Sequence, residues 1–122
     1  MAKRQYYKGK RISKGEKRIA EYLDFRNIKY SREYTFNDCL SERGNCLRFD
    51  FYLPNYNLCI EFQGQHHTGP VNKYRRAKIV HNITVKHDEI KRIYTKQKNI
   101  KLIEIDLKDY ENIENILNLL LE

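Results

Sequence analysis

Two acids in a short apolar hairpin, Asp50 and Glu61, are the residues whose types and spacing can do chemistry. They lie in Leu47-Arg48-Phe49-Asp50-Phe51-Tyr52-Leu53 and Leu58-Cys59-Ile60-Glu61-Phe62-Gln63, joined by Pro54-Asn55-Tyr56-Asn57. Alternation along a strand predicts Leu47, Phe49, Phe51 and Leu53 on one face and Arg48, Asp50 and Tyr52 on the other. With Leu53 opposite Leu58, the register sets Phe51 against Ile60, Phe49 against Phe62 and Asp50 against Glu61. Directly opposed side chains have Cβ atoms roughly 4.5–5.5 Å apart, and like charges there are destabilising. Something positive is expected between them. A hard divalent cation such as Mg²⁺ takes one or two carboxylates together with water and substrate phosphate. Such an ion polarises a phosphate and lowers the pKa of an attacking water, so the chemistry expected is phosphodiester hydrolysis. The competing reading is a solvated hairpin face whose acids are offset by Arg48 or nearby lysines.

Other residues extend the constellation. Glu16 stands three after Ser13, the spacing of a capping box, and can equally be a third carboxylate delivered by a helix start. Gln63 shares the face of Glu61 and can orient a water but brings no charge. His67, two strand periods on from Gln63, is a candidate general base, and His66 reads as a surface residue. Asp88 and Lys91 share one side of a helix, where an ion pair between Asp88 and Lys91 or Arg92 is the ordinary explanation. Cys39, Cys46 and Cys59 match no finger or ribbon spacing and read as reduced thiols, with structural zinc the minor alternative.

The net charge of +8 is unevenly spread over 122 residues. Lys3, Arg4, Lys8, Lys10, Arg11 and Lys14 crowd the start of the chain, and Lys73, Arg75, Arg76 and Lys78 form a second basic tract. Basic tracts on either side of an acidic hairpin suit a polyanion held over a metal centre. Tyr6, Tyr7 and Tyr74 offer stacking surfaces. A solvated basic surface is the plainer alternative. No apolar h-region or run of about 18 apolar residues is present, so a soluble, intracellular protein is expected.

To position these residues, the pattern predicts a flexible basic arm over 1–12 and one domain over 13–122. A helix runs from Ser13 to about Arg26, its inward stripe of Ile19, Tyr22 and Leu23 ending at Phe25 or Arg26. A strand follows over Lys29 to Phe36, then a loop over Asn37 to Asn45, the hairpin, and a long connection from Gly64. The pattern is weak as far as Ile83. A helix from about Thr84 to Gln97, a strand over Ile100 to Ile105 and a helix from Tyr110 to Leu121 complete the order.

The strings Gly15-Glu16, Leu47-Arg48-Phe49-Asp50-Phe51-Tyr52-Leu53-Pro54 and Ile60-Glu61-Phe62-Gln63-Gly64-Gln65-His66-His67 together resemble the PD-(D/E)XK nuclease superfamily. The narrower likeness is to its small phage-type branch, similar to very-short-patch repair and EDxHD homing endonucleases. The resemblance implies an α/β (α+β) fold with a restriction-endonuclease-like core, a mixed sheet whose central hairpin is flanked by helices. It implies a Mg²⁺- or Mn²⁺-dependent DNA endonuclease with Glu16, Asp50 and Glu61 on the metal. Gln63 would occupy the superfamily's lysine position, His67 the branch histidine, and Asp88 with Lys91 a helix motif. The departures are Gln63 in place of lysine and His66 where the branch usually has glutamine. Cutting both strands with so small a chain would take a homodimer or two successive nicks. The rival is a non-catalytic nucleic-acid-binding module on the same fold.

Overall fold

The computed structural model describes residues 5–64 and 75–121. Lys3, Arg4, His66, His67 and Lys73 lie outside the described residues. Among the described residues, six strands and three α-helices follow in the order β1 (Gln5–Tyr7), β2 (Lys10–Ile12), α1 (Lys14–Phe25), β3 (Ser31–Leu40), β4 (Cys46–Leu53), β5 (Leu58–Gln63), α2 (Arg75–Gln97), β6 (Lys101–Asp106) and α3 (Ile113–Leu120), with a 3-10 turn over Leu107–Asn112 before α3. No helix of the described residues is long and apolar enough to cross a membrane.

β3 to β6 form a mixed sheet in that order, antiparallel except for the parallel pair β5 and β6. A parallel pair needs a crossover, and α2 lies within it. The amphipathic stripe of α1 (Ile19, Leu23) and α3 (Ile113, Leu117) packs with Phe51, Leu53, Leu58, Ile60 and Ile105 on one side of the sheet. On the other, Ile90 and Tyr94 of α2 pack with Leu47, Phe49, Cys39 and Cys59. Helices thus cover both faces, an α/β arrangement.

The hairpin keeps its expected register, with Phe51 opposite Ile60 and Leu53 opposite Leu58. Its facing does not follow simple alternation. Phe51 and Leu53 enter the α1 side, whereas Leu47 and Phe49 enter the α2 side, so Phe49 does not meet Phe62. The strand turns over at Asp50, and β3 turns with it. Arg32 pairs with Phe51 and Tyr34 with Phe49, and between them Glu33 takes the left-handed φ of 50°. A non-glycine residue there costs backbone strain and rotates the strand, so two strands change face at one level.

Three further elements differ from expectation. Residues 5–12 form the β1–β2 hairpin rather than an arm, because Lys8 (φ 52°) and Gly9 (φ 80°) supply a two-residue turn with both residues left-handed. β3 runs on to Leu40, since Leu40 pairs with Cys46 and Ser41 to Asn45 close a tight turn. α2 begins nine residues before Thr84, at Arg75. Ile79, Val80, Ile83 and Val85 are all exposed, so that half of the helix has no inward stripe for periodicity to detect. Phe25 faces solvent rather than ending the stripe of α1.

Candidate active site

Asp50 and Glu61 meet where the β4–β5 ladder stops. Its last paired residues at this end are Phe51 and Ile60. Beyond them the backbone bonds go to side chains: the Asp50 amide donates to Glu61 Oε2 at 3.1 Å, and the Phe62 amide donates to Asp50 Oδ2 at 2.8 Å. Each carboxylate satisfies an amide of the opposite strand, which pins both acids in place. Neither lies on a solvated face: Asp50 is half-buried and Glu61 is only 6 % exposed.

That burial is costly for charge. Asp50 is pushed up to about 8, first by burial, then by the charges of Glu61 and Glu16, against the Phe62 amide and Lys91. Glu61 is also raised by burial, opposed by Lys91 and by the bond from the Asp50 amide. The cation at Glu61 is therefore not Arg48, which is exposed, but Lys91 of α2. Its Nζ donates to Glu61 Oε1 at 2.8 Å, with the two side chains only 13 % and 7 % exposed. The ammonium also lies 5.2 Å from the centre of the Phe49 ring. Asp88, one helical turn earlier, is buried and its charge raises Glu61. Lys91 thus pairs with buried Glu61 rather than forming the surface ion pair expected with Asp88.

Glu16 reaches the pair from the opposite side of the sheet. Ser13 caps α1 by accepting the Glu16 amide at 3.3 Å, while the Glu16 carboxylate pairs with Arg32 at 3.5 Å. Capping thus falls to the serine, and the Glu16 carboxylate, held by Arg32, lies near enough for its charge to raise Asp50. Gly15 sets how closely α1 approaches: a Cβ there would stand 2.2 Å from the Phe62 ring. Only glycine lets the helix start sit on β5.

Gln63 is 8 % exposed and donates its amide to Glu104 Oε1 at 3.0 Å. Arg92 holds the same carboxylate as a fork, Nε to Oε2 and Nη2 to Oε1, both at 2.8 Å. Glu104, Arg92 and Arg32 were not legible as site residues. Their one sequence signal is an acid set between Ile103 and Ile105, which a parallel register places beside Glu61.

Among the described residues no three carboxylate, thiol or imidazole groups lie close enough to cage a metal by themselves. Two carboxylates and an amide oxygen still match the sparse donor set of Mg²⁺, which keeps waters and takes substrate oxygens. The cysteines are free thiols, with Cys39 and Cys59 buried and Cys46 exposed.

Beside Arg32 a groove of about 430 Å³ opens between the β1–β2 hairpin and β3. Lys8, Lys10, Lys29 and Arg32 line it, with Tyr7, Tyr30 and Asp24. Lys8 is engaged by Asp24 at 3.0 Å. Of the other expected polyanion contacts, Lys14 lies 4.8 Å from the centre of the Tyr110 ring, Arg11 and Lys78 are exposed, and Arg75 and Arg76 open α2. The chain matches no protein-family model, no curated protein and no solved structure.

Proposed function

We propose that this chain is a Mg²⁺- or Mn²⁺-dependent DNA endonuclease of the PD-(D/E)XK type, its sheet a restriction-endonuclease-like core. One observation carries the reading. Two carboxylates, Glu61 buried and Asp50 half-buried, are each fastened to a backbone amide of the opposite strand, where folding gains nothing from their charge, and one is raised to about 8.

Asp50 and Glu61 would hold the cation, with Glu16 at its margin. The ion, when bound, supplies Lewis-acid polarisation and a more acidic water. The chain's own residues do the rest. Lys91 favours the ionised form of Glu61 against the effect of burial and brings the positive charge that Gln63, in the lysine position, lacks. Gln63 orients water, and His67 is the base suggested by the resemblance. The groove at Lys10, Lys29 and Arg32 would grip the phosphate backbone beside the acids, and such binding weakens steeply with salt.

The binding-module reading has one observation in its favour: Lys91 already compensates Glu61 without any cation. Among the described residues no cation forms such an ion pair with Asp50. Incubation of linear, mismatched and four-way-junction DNAs with the protein and Mg²⁺ or Mn²⁺ decides between the two. Cleavage of any of them that chelation stops supports the nuclease. DNA binding with no cleavage, and no uptake of Mn²⁺ at millimolar concentration, would establish the binding module instead.

A further inference from the structure

We infer that Glu104 and Arg92 are positioning residues that fix the Gln63 amide so that its carbonyl oxygen, not its NH₂, is offered to the acidic pair. The inference rests on the cation-binding reading above and adds to it what stands in the lysine position and what holds it there.

An amide can face either way, and its orientation follows from its partners. Gln63 meets Glu104 Oε1 at 3.0 Å. Arg92 donates to both oxygens of that carboxylate at 2.8 Å, and a carboxylate held in such a fork offers the Gln63 amide only acceptors. Rotating the Gln63 amide by half a turn would set its oxygen against a carboxylate oxygen at a half-buried contact, exchanging a hydrogen bond for a repulsion. The NH₂ is therefore committed to Glu104. Gln63 and Glu61 lie two apart on β5 and share a face. What Gln63 presents there is an acceptor.

This reverses the chemistry of the position. A lysine would donate and bring positive charge, whereas a fixed carbonyl oxygen suits a hard cation or the hydrogen of a water. Positive charge comes from a different element, through Lys91 at 2.8 Å from Glu61. The two functions of one lysine are divided between strand and helix, and Arg92, one residue after Lys91, ties the same helix to the clamp.

The test exchanges the two side chains. Calorimetric titration of the metal-free full-length protein with MnCl₂ should show E104Q binding Mn²⁺ about 10–100-fold more weakly than wild type, as loss of an outer-shell partner does. The double variant Q63E/E104Q, in which an amide at 104 donates to a carboxylate at 63, should restore binding to the wild-type level or better. A residue with only a structural role gives no such rescue. Should E104Q not fold, R92K loosens the same clamp from α2 and should lower Mn²⁺ affinity by a smaller factor. In the wild type the Gln63 side-chain NH₂ resonance should keep its hydrogen-bonded shift when diamagnetic Mg²⁺ is added, because the oxygen and not the nitrogen faces the ion. Wild-type affinity in E104Q or R92K, or no rescue in the exchanged pair, overturns the inference alone. Absence of Mn²⁺ binding by the wild type removes the cation reading and this inference with it.

Discussion

Carboxylates occupy two kinds of place in this molecule. Glu114 sits against Arg18 at 2.8 Å, tying α3 to α1, and Arg18 holds it below the usual carboxylate range. Asp24, which burial alone would raise, is kept low by hydrogen bonds from Tyr7, Lys8 and Tyr30. Asp50 and Glu61 are raised instead. The first pair is arranged so that charge holds helices and hairpin together. The second is arranged against charge, yet held by backbone amides of the opposite strands at 3.1 and 2.8 Å. Folding accounts for the charge of the peripheral acids and not for that of the central ones.

The largest effect should come from Asp50→Asn, which keeps an oxygen for the Phe62 amide and removes the charge. Metal-dependent DNA cleavage should fall by more than the roughly 10–100-fold typical of an outer-shell change, while the melting temperature without metal rises. Undiminished cleavage would remove Asp50 from the site. Lys91→Met should destabilise by about 3–5 kcal/mol in a denaturant titration, because it strands a buried charge, and adding Glu61→Gln should recover most of that loss. Equal stability of the two variants would mean that the pair is not energetically coupled.

Gly15→Ala forces the Phe62 ring or the start of α1 to move. It should cost about 1–3 kcal/mol, relieved by adding Phe62→Leu, and should lower cleavage because Glu16 moves with the helix. Tolerance of the alanine with full stability would show that α1 need not sit so close. The two acid groups also answer pH with opposite sign. Asp50 binds its proton more tightly folded than unfolded, so metal-free stability should decline as pH rises from about 3.8 toward 8. Asp24 and Glu114 bind theirs less tightly folded, so their contribution is present above the ordinary carboxylate range and lost as pH falls through their lowered values. Thermal melts across pH should show a shallower first slope in Asp50→Asn, with the part due to Glu61 remaining, and an unchanged second. The smallest effect belongs to Arg18→Gln, a slight drop in melting temperature that high salt erases.

Much of this was legible from residues alone. The 3.6-residue stripe of α1, the serine cap and the hairpin register from Leu53 and Leu58 follow from local rules, and so does the opposition of Asp50 to Glu61. What was hidden depends on distant pairing. The reversal of facing at Asp50 needs Glu33 on the neighbouring strand, and Glu104 reaches Gln63 only through a parallel register. Lys91 looked like a surface lysine because helix spacing shows which residues share a side but not what that side meets. The first half of α2 was missed because exposed apolar side chains leave no period.

The parallel pairing of β5 with β6 also bears on the order of folding. β3, β4 and β5 are a meander with short connections, and their contacts close early, whereas β6 joins β5 only after a crossover that includes all of α2. Glu61 and Gln63 lie at the end of β5 where the ladder to β4 has already stopped. Their surroundings are therefore completed in the last steps, when α2 and β6 dock. It is the burial of the acids that waits for α2 and β6, so charge-removing substitutions here should mainly slow unfolding and change the folding rate little, which a chevron measurement checks.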